Sequence, residues 1–339
     1  MPCKRPVIFP KVSDVVPLPC GQCRDCRIMR RAVETHRNLL ERKLHRHATF
    51  LTLTSDDKLH KTFADPVINS VTGQVFRGPS VDPTTFKRFI DKLRINWRRA
   101  TAGNFRYTGV GEYGGKFGRP HYHGLIYGIP NCPHIGTQSP DQNSRCKCPL
   151  CSLVRRTWAN GNVELNVYND RTANYVCGYN MDKLADITDK HAEKKLDGRH
   201  PQFRRASNRP GIGRDYIRLL AHELTKTETI KHWTDVPKIL FHGPKARPLG
   251  HYLYQKLLED MGFWLEPGEA LEYYEKELRE LLNDFNATSE VAYAAQYRLD
   301  TALTIKNRQH NIDLEAKDKL YGQTYDDPTK KPPKPKELK

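Results

Sequence analysis

Apolar residues recur at two spacings along most of the chain, and the spacing separates helices from strands. Helical spacing over residues 25–46, and again after Asp82-Pro83, predicts two amphipathic helices, the second capped by the Asp82 carboxylate. Alternation of apolar and polar residues predicts strands at 50–54 and 163–167, and an aromatic and β-branched run predicts another at 122–127. This part of the chain is therefore expected to mix helices and strands.

Turn-forming residues join these elements. Residues 105–112 and the strand at 122–127 flank a Gly-rich turn and form a predicted hairpin, whereas residues 62–80 are interpreted as a loop insertion. A further helix is predicted from Asp170, and residues 199–218 are rich in arginine around a turn at 208–213. This order favours an α+β fold with a central antiparallel sheet and helices on one or both faces.

The character of the chain changes beyond Pro248. Apolar stripes on an acidic segment predict a C-terminal helical hairpin, and the charged, Pro-rich final residues predict a disordered tail. We therefore expect three parts: a main domain at 1–250 with a Cys-rich insertion at 130–152, a helical region at 251–325 and a basic tail at 326–339.

Basic residues outnumber acidic ones, with 56 Lys and Arg against 39 Asp and Glu and a formal net charge of +17. Such an excess favours a polyanionic partner, and nucleic acid is the usual one. No apolar run approaches the ~20 residues that span a bilayer, and the first residues contain no signal-peptide hydrophobic region. We therefore expect a soluble, cytoplasmic protein with no membrane partner.

Two histidines on the predicted hairpin are candidate metal ligands. His121 and His123 are two positions apart in an extended strand, so their rings point to the same face, and Glu112 on the preceding arm would face them. Neutral imidazoles placed in this way can hold one divalent metal. The alternative is a half-buried strand with two hydrogen-bonded histidines. A rival pair, His45 and His47, ends a predicted helix, where positions i and i+2 do not share a face.

Eight of the nine cysteines fall into two groups of four. The first group is Cys3, Cys20, Cys23 and Cys26, and the second is Cys132, Cys146, Cys148 and Cys151. In a protein without a secretory signal such groups are typical of tetrahedral zinc sites, and reduced buried thiols are the alternative. The second group is the stronger zinc candidate, because residues 130–149 contain few apolar side chains, and His134 could replace one of its cysteines.

Two predicted helices carry residues that suit a phosphate ligand. The basic residues on the outer face of the helix after Asp82 are Lys87, Arg88, Lys92, Arg94, Arg98 and Arg99. This face is either solvated or follows a phosphate backbone. On the helix from Asp170, Tyr175, Tyr179 and Lys183 share one face through their spacing of four, and packing against other elements is the alternative role for both tyrosines. Gly178 weakens this helix, which suggests a close backbone approach there.

Several motifs, in order along residues 1–250, resemble those of one family. They are Pro19-Cys20-Gly21-Gln22-Cys23, Thr52-Leu53-Thr54-Ser55-Asp56-Asp57, Gly111-Glu112-Tyr113-Gly114 with Gly118-Arg119-Pro120-His121-Tyr122-His123, Tyr175-Val176-Cys177-Gly178-Tyr179 and Ser207-Asn208-Arg209-Pro210-Gly211-Ile212-Gly213. The set resembles the HUH endonucleases that initiate rolling-circle replication. It resembles most of all the replication initiators of microviruses, which are small single-stranded DNA phages, in particular their gokushovirus branch.

The resemblance implies a fold, an activity and roles for particular residues. The fold would be the ferredoxin-like or RRM-like sheet of HUH endonucleases, and the activity would be nicking and joining of single-stranded DNA at a replication origin through a 5′-phosphotyrosine. The two nucleophiles and the lysine beside them would be Tyr175, Tyr179 and Lys183. The ligands of a catalytic Mn²⁺ or Mg²⁺ would be His121, His123 and Glu112.

The same resemblance implies DNA contacts and partners. The basic residues expected to contact DNA are Arg119, Arg204, Arg205, Arg209, Lys87 and Arg88. The host helicase and polymerase are expected partners, and the host cell cytoplasm is the expected location. The chain departs from the family pattern where Asp182 precedes Lys183, since two adjacent lysines are common there. The second cysteine group and the acidic C-terminal helices have no counterpart in the family.

A zinc-stabilised nucleic-acid-binding protein without catalysis is the alternative function. It explains the charge, the cysteines and the arginines equally well. It does not explain two tyrosines in register with a lysine after a His-x-His strand. A covalent protein–DNA adduct would distinguish the two functions.

Overall fold

Helices and strands follow one another much as the apolar pattern predicts. The computed structural model describes residues 3, 19–21, 23–55, 67–68, 75–76, 80–114, 119–135, 146–182, 199–227, 229–242, 244–263 and 276. The helices are α1 (Arg24–Lys43), α2 (Pro83–Thr101), α3 (Pro149–Trp158), α4 (Asp170–Asp182), α5 (Arg214–Thr225) and α6 (Gly250–Asp260). The strands are β1 (Ala48–Ser55), β2 (Val67–Ile68), β3 (Val75–Phe76), β4 (Arg106–Tyr113), β5 (Pro120–Tyr127), β6 (Gly161–Val167), β7 (Phe203–Ala206), β8 (Ile239–His242) and β9 (Lys245–Pro248).

Five strands form one antiparallel sheet in the order β6-β1-β5-β4-β7. The elements β1, α2, β4, β5, α3 and β6 follow the β-α-β-β-α-β order of ferredoxin-like folds, with the small β2-β3 ladder in the predicted loop insertion. The predicted α+β architecture with a central antiparallel sheet is therefore confirmed. β7 and α3 lie in segments where the sequence pattern predicts no element.

One face of the sheet is covered by α2 and α3. The Asp82 side chain caps α2 by accepting hydrogen bonds from the backbone N–H groups of Thr84 and Thr85, as predicted. The sheet residues buried under the two helices include Leu51, Leu53, Tyr122, Ile126, Val163 and Leu165. Phe86 of α2 lies against Gly109, where a Cβ would come within 2.3 Å of its ring. A side chain at position 109 would therefore separate α2 from β4.

The opposite face is covered by α1 and α4, and Asn38 of α1 joins them to the sheet. Its side-chain oxygen accepts a hydrogen bond from the Tyr127 hydroxyl at 2.6 Å, and its carbonyl accepts one from the Tyr168 hydroxyl at 3.0 Å. Its amide group also donates to the sulfur of Cys177 in α4 at 3.4 Å. These bonds tie α1, α4 and β5 together and fix α4 over the sheet.

A buried carboxylate, Glu41, also anchors α1. It accepts hydrogen bonds from Nε of Arg106 at 2.6 Å and from the backbone N–H of Gly213 at 2.7 Å, and it contacts the ring of His45 at 3.0 Å. Burial alone would raise the pKa of Glu41, but the bonds from His45 and Gly213 and the charge of Arg106 hold it below its usual value. The carboxylate therefore links α1 to β4 and to the turn before α5.

Contacts divide the chain into two units, one formed by residues 30–263 and the other by residues 1–29 and 264–339. α6 belongs to the unit of residues 30–263, and the predicted division into three parts stays a prediction. Most of the predicted C-terminal helical region and the whole predicted tail lie outside the described residues. No helix in the described part of the chain has the length and apolar character needed to cross a membrane.

Candidate active site

Three neighbouring strands place the predicted metal ligands on one face of the sheet. β5 pairs with β4 so that His121 lies opposite Glu112, and it pairs with β1 so that His121 and His123 lie opposite Thr54 and Thr52. Because alternate residues of a strand share a face, these five side chains point to the side of the sheet that α4 covers.

Glu112 is the central acceptor of this group. Its Oε1 atom lies 3.0 Å from Nε2 of His123 and 3.4 Å from the hydroxyl of Tyr175, which donates to it. The His123 ring stacks on Phe50 with 5.4 Å between centroids, and the Tyr175 ring stands edge-on to His123 at 5.3 Å. Glu112 and His123 are buried, whereas Tyr175 is 37% exposed. The tyrosine therefore contacts both the buried polar group and solvent.

His121 completes the predicted ligand set. Burial and the neighbouring His123 lower its pKa, which favours the neutral ring that a metal ligand requires. A Cβ at residue 114 would come within 2.7 Å of Nε2 of His121. Gly114 therefore leaves space beside this nitrogen that any other residue would fill.

The chemistry of these donors fits a divalent ion. Oε2 of Glu112 is buried and has no hydrogen-bond partner in the part of the chain that the structure describes. A buried orphan oxygen of this kind is costly, and a bound cation would satisfy it. The ligand atoms of His121, His123 and Glu112 do not all lie within 4.8 Å of one another, so the side chains must turn inward to share an ion. Imidazole nitrogen with carboxylate oxygen suits Mn²⁺.

Of the predicted nucleophilic group, the structure places Tyr175 at the site. Tyr179 lies one turn further along α4, but its side chain is outside the described part of the structure. Lys183 lies outside the described residues altogether. The prediction that the three side chains act together therefore stays a prediction.

Gly178, between the two tyrosines, makes room for an arginine of α1. A Cβ at this position would come within 2.6 Å of the guanidinium carbon of Arg31. Nε of Arg31 donates to both the carbonyl and the side-chain oxygen of Asn174, at 3.2 and 2.9 Å. The close approach that a mid-helix glycine suggests is made here by a side chain of the neighbouring helix.

The sulfur atoms of each cysteine group lie close together. Within each group, the four sulfur atoms lie within 4.8 Å of one another, and His134 is not one of the converging ligands. The Sγ atoms of Cys3 and Cys20 are 3.4 Å apart, and those of Cys132 and Cys146 are 3.6 Å apart. Four convergent thiols are the ligand set of a tetrahedral structural zinc site.

The second cysteine group is connected to the candidate active site through α3. Cys148 caps this helix by accepting a hydrogen bond from the backbone N–H of Cys151 at 3.4 Å. At the other end, the Trp158 indole donates to the carbonyl of Thr54 at 3.4 Å. Burial raises the pKa of Cys151, whereas the backbone N–H of Cys148 lowers that of Cys146.

The basic residues predicted to contact DNA differ in their surroundings. Arg204 pairs with Glu34 of α1, and Lys87 pairs with Asp91 at 2.7 Å. The side chains of the others are exposed, namely Arg88, Arg119, Arg205 and Arg209. Arg204 is therefore a weaker candidate for a DNA contact than its neighbour Arg205.

Thr52, Thr54 and Phe50 touch the histidines, although the sequence pattern assigns them only to a strand. The hydroxyls of Thr52 and Thr54 lie 3.1 Å from Nδ1 of His123 and of His121, respectively. Alternation along residues 50–54 places the three side chains on one face, but the strand register that brings the two threonines opposite the histidines joins residues about 70 positions apart. No local signal in the sequence fixes that register.

Comparison with known proteins points to one kind of function. The profile of the family described as replication-associated protein ORF2/G2P matches residues 48–184, which run from β1 into the segment after α4. Replication-associated protein VP4 of Bdellovibrio phage phiMH2K is 26% identical over 303 residues, covering 87% of this chain and 85% of that protein. Replication-associated protein ORF2 of Spiroplasma virus 4 is 28% identical over 238 residues, covering 69% of this chain and 67% of that protein.

Among solved structures, the N-terminal nuclease domain of Minute virus of mice non-structural protein 1 aligns with 57% of this chain and 83% of its own chain. The two are 13% identical, and the TM-score is 0.20. A score this low does not establish a shared fold.

Proposed function

We propose that this chain, which is a relative of phage replication-associated proteins, is a rolling-circle initiator of the HUH type that nicks and rejoins single-stranded DNA. The observation that carries the proposal is the contact between the Tyr175 hydroxyl and Glu112, which also bonds His123. A tyrosine that only packed against the sheet would not need a buried carboxylate at its hydroxyl and the His123 imidazole against its ring.

In the proposed reaction, the Tyr175 oxygen attacks the phosphorus of the scissile phosphodiester in line. A bond from phosphorus to the tyrosine oxygen forms while the bond to the 3′ oxygen breaks. The phenol proton moves to Glu112, which already accepts its hydrogen bond, and the departing 3′ oxygen takes up a proton from water. The products are a 5′-phosphotyrosine and a 3′-OH that a polymerase can extend. Because one phosphodiester replaces another, the 3′-OH can reverse the step and reseal the strand.

His121, His123 and Glu112 would hold the catalytic ion, Mn²⁺ or Mg²⁺, which when bound polarises and orients the phosphate oxygens. Phe50 fixes the plane of the His123 ring by stacking on it. The lowered pKa of His121 keeps its ring neutral at pH 7. The chain thus supplies oriented donors on a rigid sheet.

Tyr179 and Lys183 would complete the machinery for two cleavages. Tyr179 follows Tyr175 by one helical turn, which separates their positions by about 6 Å. It would make the second cut, one round of synthesis later, while Tyr175 is still joined to the first 5′ end. Lys183, a further turn along, would stabilise the developing negative charge. Asp182 beside it would weaken that effect.

The substrate would be single-stranded DNA at a replication origin. Exposed Arg88, Arg119, Arg205 and Arg209, together with the net charge of +17, suit the phosphate backbone. The host helicase and polymerase would then use the new 3′ end in the cytoplasm of the host cell.

Each cysteine group would hold one structural Zn²⁺. Zinc would displace the thiol protons and contribute its binding free energy to the folding of the segments that carry the cysteines. Elemental analysis of the purified chain should then find two zinc ions per molecule. Folded protein that contains no zinc would contradict this part of the proposal.

The decisive experiment is a denaturing gel of the protein with single-stranded origin DNA and Mn²⁺. The wild type should form a covalent adduct, and replacement of both His121 and His123 by Ala should abolish it while leaving DNA binding largely unchanged, because basic side chains dominate the affinity. His47→Ala, at the exposed member of the rival His-x-His pair, is the matched control and should form the adduct normally. An adduct in the double variant would place the site elsewhere. Wild type that binds DNA and never forms an adduct would indicate a non-catalytic binding protein.

A further inference from the structure

Two threonines of β1 contact the candidate metal ligands from the side opposite Glu112. The strand register places Thr52 opposite His123 and Thr54 opposite His121. Each hydroxyl lies 3.1 Å from Nδ1 of the histidine that it faces. The two contacts have the same geometry and involve the same ring nitrogen, which leaves Nε2 of both histidines on the side where an ion would bind.

We propose that Thr52 and Thr54 are positioning residues, whose hydroxyls accept a hydrogen bond from Nδ1–H of each histidine when its Nε2 binds the ion. The inference rests on the proposed function, since it concerns the same metal site. Metal-binding histidines commonly donate their other ring N–H to a carboxylate, carbonyl or water. Here a threonine hydroxyl takes that place for both rings.

The hydroxyl matters because His123 must exchange its proton between two nitrogens. In the metal-free structure Nε2 of His123 lies 3.0 Å from a carboxylate oxygen, which can only accept, so Nε2 carries the proton. Nδ1 is then unprotonated and accepts a hydrogen bond from the hydroxyl of Thr52. To offer Nε2 to an ion, His123 must move its proton to Nδ1, which then donates to the same hydroxyl oxygen.

A hydroxyl can donate or accept, so Thr52 satisfies Nδ1 in both states without moving. Valine has the same shape and the same β-branched preference for a strand, but it can do neither. Serine keeps the hydroxyl and loses only a methyl group. The backbone at Thr54 is further held by the Trp158 indole, which donates to its carbonyl. Rigid strands therefore fix both hydroxyls with respect to the rings.

The test compares Mn²⁺ affinity, measured by calorimetry on the full chain, across matched variants. Thr52→Val with Thr54→Val should weaken Mn²⁺ binding by about 10-fold to 100-fold, and Thr52→Ser with Thr54→Ser should stay within about 3-fold of wild type. Thr49→Val is the control on the same strand, because its hydroxyl donates to the carbonyl of Asn166 and does not contact the histidines. It should bind Mn²⁺ as wild type does.

A second readout follows the imidazole protons directly. Nitrogen-15 spectra should place the proton of His123 on Nε2 in the metal-free wild type and on Nδ1 when Mg²⁺ is bound, and the valine variant should need a higher Mg²⁺ concentration for the same change. The single variants Thr52→Val and Thr54→Val provide the same comparison if the double variant does not fold. Wild-type Mn²⁺ affinity in a folded valine variant would overturn the inference.

Different results would contradict the metal site and the role of the two threonines. If His121→Ala with His123→Ala removes Mn²⁺ binding but the valine variant binds normally, the metal site stands and the role of the threonines is wrong. If the double histidine variant binds Mn²⁺ as tightly as wild type, the metal site itself is wrong, and the inference is overturned with it.

Discussion

At the residue scale, the two tyrosines of α4 raise the question of why one site would need two nucleophiles. Replication of a circular template requires one cleavage to begin and another to release the displaced strand while the first 5′ end is still bound. A single tyrosine would be occupied at that moment. Tyr175 contacts Glu112 directly, and Tyr179 follows one turn later on the same helix.

We expect Tyr175→Phe or Tyr179→Phe alone to leave some nicking and the double change to remove it. Each single variant should form a covalent adduct once and fail in repeated rounds. Adduct formation in a single-turnover gel and product length in a rolling-circle assay measure the two effects. A single variant that completes many rounds would contradict the two-tyrosine scheme. Loss of every adduct from one substitution would mean that the other tyrosine only packs.

A buried histidine, His36, sets a pH limit on the stability of the fold. Nδ1 of His36 lies 2.8 Å from the carbonyl of Pro248, which can only accept, so this nitrogen carries the proton. Nε2 of His36 then accepts from Nε2–H of His242 at 2.9 Å. Burial lowers the pKa of His36 from 6.5 to about 4, because a charged ring would lose its hydration in this position.

This shift predicts that stability is lost in acid. Between about pH 6.5 and pH 4 the unfolded chain takes up a proton at His36 that the folded chain does not, so the folded state is favoured fully above this window and less within it. The loss reaches about 3 kcal/mol at the acid end. Urea unfolding should show that His36→Gln flattens the pH dependence in this window, whereas His222→Gln, at an exposed site, should not. If the free energy of unfolding depends on pH equally in both variants, His36 is not the cause of the stability loss in acid.

At the scale of elements, the contact between α1 and α4 rests on Gly178. A methyl group there would displace the guanidinium of Arg31 and break its two bonds to Asn174. Loss of these bonds would lower the free energy of unfolding by about 1 kcal/mol, and the higher helix propensity of Ala would raise it by about 0.5–1 kcal/mol.

Gly178→Ala should therefore hardly change the free energy of unfolding of the wild type. In the Arg31→Ala variant it should raise this free energy by about 0.5–1 kcal/mol. A double-mutant cycle in urea measures the coupling between the two positions. Equal effects of Gly178→Ala in both backgrounds would mean that Arg31 does not depend on the glycine. Because α4 carries Tyr175, the same variants report whether the position of this helix affects nicking.

A second element, α3, connects the second cysteine group to β1. If this group holds zinc, chelation should loosen the helix start at Cys148 and weaken the contact of Trp158 with Thr54. Hydrogen exchange of the α3 amides should then accelerate by roughly one to two orders of magnitude, whereas the amides of α5 should change little. Cys177→Ala is the control, since this buried cysteine lies outside both groups. Unchanged α3 exchange after complete zinc removal would contradict a structural role for the ion.

The sequence predicts local features of these elements better than the contacts between them. The period of two in β5 places His121 and His123 on one face, and Asp82 marks the start of α2, because both signals lie within a few residues. The pairing of Thr52 with His123, and the contact of Arg31 with Gly178, join distant segments. Register and helix packing depend on the whole core, so no short stretch of sequence determines them.

At the scale of the whole molecule, DNA binding depends on which basic side chains are exposed and not on the net charge alone. The formal charge of +17 favours DNA, but it does not say which side chains contribute. Arg204 and Arg205 are neighbours in β7 and face opposite sides of the strand. The first pairs with Glu34 of α1, whereas the second is exposed.

These neighbours provide a matched test of the DNA-binding surface. The affinity for single-stranded DNA should fall steeply with salt, and each lost phosphate contact should reduce the slope of log K against log salt concentration by about 0.7. Arg205→Ala should reduce the slope by this amount and leave stability unchanged. Arg204→Ala should leave the slope unchanged and lower the free energy of unfolding, because Glu34 would lose the partner that joins α1 to β7 and keep only Arg37 of its own helix. The opposite pattern would mean that DNA takes Arg204 away from Glu34, so that the ion pair belongs to the free protein alone.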